Sequence, residues 1–94
     1  QERALLMEYV YATEQVQRQV LNPDKINLAQ FGTMTPHIHW HIIPRYQWDL
    51  HYPNSFWSQA SHDGQASEYL QALQKQRDLL YSYQQELARV LAQV

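Results

Sequence analysis

The sequence predicts an α+β fold. Three observations carry this: a helical opening segment, two neighbouring runs with strand periodicity, and a long helical closing segment. The chain has 94 residues, enough for one small domain spanning 1–94. Its hydrophobic fraction of 45% matches a packed core and is too high for a disordered chain.

The elements follow in order. Leu5, Tyr9, Ala12, Val16 and Val20 recur at three- and four-residue steps and predict a helix over 2–21 with those residues on its buried face. Asn22-Pro23 ends it, because a residue before proline resists the helical region. A turn at 23–25 leads into 26–31, where apolar and polar positions alternate as in a strand. Gly32 breaks the run, and 33–36 form a short link. A second strand is expected over about 37–46, pairing antiparallel with the first. Residues 47–64 are irregular but rich in aromatics (Trp48, Tyr52, Phe56, Trp57), which predicts a loop packed over another surface. A helix is then expected over about 65–94, with Leu73, Leu80, Leu87 and Val94 forming a seven-residue seam. Such a helix either lies across the sheet or also packs on a partner subunit.

Composition excludes several classes of function. There are no cysteines, which removes disulfides and thiolate metal sites and fits a reducing compartment. No run reaches the roughly 18 apolar residues of a membrane span, and no signal-peptide pattern opens the chain. A formal charge of −2 provides no basic field for nucleic acid. A cytoplasmic protein without nucleic-acid or membrane partners is expected. The chain opens at Gln1, directly in a helical pattern, as expected of a piece of a longer protein.

The chemistry concentrates in His37-Ile38-His39-Trp40-His41. In a strand, alternate side chains share a face, so the three histidines point one way while Ile38, Trp40 and Ile42 form a core face. Successive imidazoles then lie roughly 6.6 Å apart along the strand. A buried imidazole without partners costs about 1–3 kcal/mol, so a row of three points to use. Three readings are open. The middle histidine can attack phosphorus while its neighbours orient it and move a proton. Histidines at i and i+2 can share a metal, although no cysteine or nearby carboxylate joins them. The row can also be a structural network at a sheet edge. Other candidates for phosphate or nucleotide binding are Asn27 on the first strand and Arg45 at the end of the second, where a guanidinium can grip phosphate bidentately.

The segment His37-Ile38-His39-Trp40-His41-Ile42-Ile43 resembles the signature of the histidine triad (HIT) family, three histidines alternating with apolar residues. Gly32 stands five residues before His37, where the family places a glycine. Residues 22–45, together with His51-Tyr52-Pro53-Asn54 and Trp57, resemble a bacterial branch described as diadenosine tetraphosphate hydrolase-like. The resemblance covers roughly residues 1–60. It implies a HIT-like antiparallel sheet with helices, commonly dimeric, and an enzyme that hydrolyses or transfers at the α-phosphate of a nucleotide through a covalent nucleotidyl-histidine. His39 matches the nucleophile, His41 the histidine at the phosphate and leaving group, and His37 the one that orients the nucleophile. No metal or cofactor is implied. Gly32 and Thr33 join the expected phosphate-binding residues, with Thr33 standing where many members carry Gln. The family's first strands, which shape much of the nucleoside pocket, are expected to be missing, so the chain would be the C-terminal part of a fuller HIT domain. A nucleotide-binding module without catalysis is the alternative reading.

Overall fold

The computed structural model describes residues 2–30 and 39–94. The fold is α+β. It comprises α1 (Glu2–Val16), a π-helical turn (Gln17–Leu21), β1 (Lys25–Ala29), β2 (His41–Arg45), α2 (Ser67–Asp78) and α3 (Leu80–Leu91). The two strands form an antiparallel ribbon that pairs Lys25 with Arg45 and Ala29 with His41.

The opening helix ends at Leu21 as expected, but its last five residues widen into the π turn. Asn22 then adopts the left-handed conformation (φ 48°), which asparagine tolerates better than most residues, and Pro23 prevents continuation. The buried face differs from the predicted one. Val10, Val16, Gln17 and Leu21 are enclosed, whereas Leu5 and Tyr9 are exposed. Apolar residues surround the first two turns of α1, so local periodicity does not select a face. Contact with α3 and β2 does.

Gln17 is buried at the point where three elements meet. Its Nε2 donates to the Ile42 carbonyl of β2 at 3.0 Å and to the Tyr83 hydroxyl of α3 at 3.2 Å. Tyr46, just past β2, donates its hydroxyl to the Leu21 carbonyl at 2.7 Å, giving a partner to one of the helix's terminal acceptors. Burial pushes the Tyr46 phenol above its ordinary pKa. The Tyr46 ring stacks on Trp48 at 4.8 Å, and Trp48 meets Tyr69 of α2 at 5.9 Å.

Of the expected second strand, residues 37 and 38 lie outside the described residues; residues 39 and 40 are not strand, and β2 begins at His41, opposite Ala29 at the end of β1. The closing segment also differs. It starts at Ser67 and is interrupted at Leu79, so two helices replace one. The seven-residue seam does not form a continuous packed line, since Leu80 and Val94 are exposed. A continuous seam needs one surface along its whole length, whereas α2 meets the Tyr46–Trp48 stack and α3 packs on α1.

Arg45 organises the end of the ribbon and the start of the aromatic loop. Only 4% of it is exposed. Its Nε and Nη2 donate to the two carboxylate oxygens of Asp49 at 2.8 and 3.1 Å. Nη1 donates to Asn27 Oδ1 at 2.7 Å, and Nη2 also donates to the Asn54 carbonyl at 2.6 Å. The guanidinium lies 5.8 Å from the centre of the Tyr52 ring. Asp49 accepts in addition from the backbone N–H groups of Tyr46, His51 and Tyr52. Burial raises the Asp49 pKa, but the Arg45 hydrogen bond and these three N–H donors outweigh it and hold the carboxyl at about 2.

Two predictions follow from this packing. Val16→Ala should lower the unfolding free energy by about 2 kcal/mol through the lost burial and the cavity left behind, read from the urea midpoint. Asp49 has a folded pKa below its unfolded value. Its contribution, at most about 2 kcal/mol, should be fully present above pH 5 and fade as pH falls towards 2. Asp49→Asn should flatten that part of the stability-against-pH curve, and superimposable acid limbs for the two proteins would contradict the assignment.

Candidate functional site

Side chains that oppose one another across an antiparallel ribbon share a face. The register therefore places His41, Ile43 and Arg45 of β2 with Ala29, Asn27 and Lys25 of β1 on one side. The aromatic loop lies against this side. Between loop and ribbon is a cavity of about 390 Å³, walled by Asn27, Ile43 and Arg45 from the strands and by Asn54, Phe56 and Trp57 from the loop. Ala29, the partner of His41, also lines it, so the histidine stands one residue pair along the same face from Asn27.

His39 precedes the strand, yet the alternation of side chains extends to it. Its ring meets that of His41 edge-on, with centroids 5.5 Å apart and planes at 76°. Trp40 turns the other way and lines a smaller cavity with Leu6 and Met7 of α1. The two imidazoles thus lie together, with His39 partly buried and His41 exposed. His37, Gly32 and Thr33 lie outside the described residues. Among the described residues, no three His, Cys, Asp or Glu side chains gather as a metal site.

The other described sequence candidates, Asn27 and Arg45, have definite positions, as do the aromatic and histidine side chains of the loop. Asn27 lines the cavity and accepts from Arg45. Arg45 lines it too, but its donors are directed at Asp49, Asn27 and Asn54. Trp57 is 65% exposed at the cavity wall and meets Phe56 edge-on at 5.1 Å. Trp48 packs between Tyr46 and Tyr69, as expected of a structural aromatic. His51 encloses its Nδ1 without a hydrogen-bond partner among the described residues. His62 is an exposed loop residue with Nε2 3.1 Å from the Tyr52 carbonyl.

Sequence reasoning missed Asp49 and Gln17. The available signals were a carboxylate four residues after a strand-end arginine, and a glutamine beside the helix positions that carry Val16 and Leu21. Among the described residues, no helix is long and apolar enough to cross a membrane.

No curated protein matches the chain. The HIT domain family matches residues 1–48, which takes in α1, the ribbon and all three histidines of the motif. Its members bind nucleotides and include hydrolases and transferases that act on them. With half of its residues covered by that match, the chain belongs to the HIT family.

Proposed function

We propose that the protein is a nucleotide hydrolase or transferase that acts at the α-phosphate of a dinucleoside polyphosphate or similar nucleotide. It belongs, in this reading, to the bacterial diadenosine tetraphosphate hydrolase-like branch and works as a homodimer in the cytoplasm. The observation that carries the reading is the edge-on pair of His39 and His41, on the ribbon side that also bears Asn27 and the cavity.

The chemistry follows from imidazole. A lone pair on a His39 ring nitrogen attacks the α-phosphorus, and a P–N bond forms as the bond to the leaving oxygen breaks. His41, the adjacent imidazole, gives that oxygen a proton. His37 orients the nucleophile. Water, or another acceptor, then attacks the nucleotidyl-histidine, its proton passes to the site, and His39 is regenerated. Asn27, with Gly32 and Thr33, supplies hydrogen-bond donors to the phosphate, as suits a site where charge accumulates on phosphoryl oxygens.

The test is intact-protein mass spectrometry after brief acid-free quenching with diadenosine tetraphosphate, with product nucleotide measured in the same sample. The wild-type chain should gain one nucleotidyl mass or release product, and His39→Ala should do neither while keeping its circular dichroism spectrum. Wild-type activity in His39→Ala would overturn the nucleophile assignment. Neither adduct nor product from the wild-type chain would overturn catalysis.

A further inference from the structure

The side-chain amide of Asn27 has two ends of opposite character, an acceptor oxygen and a nitrogen carrying two donors. Nη1 of Arg45 sits 2.7 Å from the oxygen end. A guanidinium has donors only, so the atom facing it must be the carbonyl oxygen, and chemistry rather than atom shape fixes which way the amide lies. The amide nitrogen is therefore turned away from Arg45. Asn27 lines the cavity, one residue pair along the ribbon face from His41.

Arg45 is not free to swing towards a ligand. Asp49 holds it through both carboxylate oxygens, the Asn54 carbonyl takes a further donor, and three backbone N–H groups hold Asp49 in turn. The Asp49 carboxylate neutralises its charge. The cavity, moreover, has no carboxylate among its described lining residues, so an anion placed there meets no like charge.

The geometry points to Arg45, clamped by Asp49, as a positioning residue of the nucleotide site: it locks Asn27 so that the Nδ2 hydrogens are offered to a phosphate oxygen in the cavity beside His41. This rests on the nucleotide reading above. The contribution to binding is an oriented donor that needs no rearrangement when the anion arrives, rather than the arginine's own charge. Direct phosphate binding by Arg45 makes the opposite prediction for one variant. Removing the Asp49 charge would release the guanidinium and tighten binding if Arg45 touched the phosphate, whereas it loosens the clamp and weakens binding if Arg45 acts through Asn27.

The experiment is calorimetric titration of AMP into the full chain, with folding of each variant checked by circular dichroism and melting temperature. Asn27→Ala removes the donor, and Asn27→Asp keeps the acceptor for Arg45 but has no N–H to offer. Each should weaken AMP binding about tenfold or more, the scale of one lost hydrogen bond to a charged group. Asn27→Asp also places a carboxylate in the cavity and repels the phosphate, so the loss that measures the donor itself is that of Asn27→Ala, read well below its melting temperature. Asp49→Asn should also weaken binding. Wild-type affinity in both Asn27 variants, or tighter binding in Asp49→Asn, would overturn the inference and leave the nucleotide reading intact. Should Asp49→Asn fail to fold, the Asn27 variants decide. Absence of AMP binding to the wild-type chain would overturn the nucleotide reading itself.

Discussion

Removing an arginine from water is unfavourable unless its donors find acceptors, and removing its charge is more so unless a counter-charge comes with it. Arg45 meets both conditions through Asp49, Asn27 and the Asn54 carbonyl. Because those partners come from the other strand, the turn after β2 and the aromatic loop, one side chain ties three stretches of chain together. Among the described residues the ribbon is two strands wide, and such ribbons are marginal by themselves. Here the loop and helices supply what further strands would, and Arg45 is where the loop is attached.

A second polar tie works on the opposite side of the ribbon. Gln17 begins the π turn, and from there its amide reaches both a strand carbonyl and a tyrosine hydroxyl of α3. Widened helical turns change where a side chain points relative to an unbroken α-helix, and they are frequent at functional sites. Buried apolar residues are few among the described ones: Val10, Val16, Leu21 and Tyr46. In so small a core, the hydrogen bonds of Gln17 and Arg45 carry much of the specificity for this arrangement over others of similar burial.

The parts of the fold readable in the sequence were those set by local covalent geometry. Asn22-Pro23 marks the end of the helical segment, and the alternation around Trp40 and Ile42 marks a strand face; both rules act within a few residues. The face buried by α1 was not readable, because Leu5, Leu6, Met7, Tyr9 and Val10 surround the helix and distant partners make the choice. The interruption at Leu79 was hidden for the same reason, since it reflects two different docking surfaces. At the site, side-chain alternation correctly put His39 with His41 and Trp40 opposite. That His41 enters the strand while His39 precedes it depends on where β1 stops, a non-local fact. Arg45 stood out as a candidate, but its partner Asp49 sits in the irregular segment, where nothing in the sequence signals that the chain folds back to enclose a charge.

The three tryptophans occupy three different surroundings, which gives the molecule a built-in optical map. Trp40 lies towards α1, Trp48 sits between two tyrosine rings beside α2, and Trp57 stands largely in solvent at the cavity wall. Their indoles therefore differ in access to a dissolved quencher and in the polarity that sets emission wavelength. Red-edge emission belongs mainly to Trp57 and reports on the cavity mouth. The bluer, shielded component from Trp48 follows the contact between the end of the ribbon and α2. One unlabelled sample can thus distinguish a ligand settling against the loop from the loosening of α2 at Trp48.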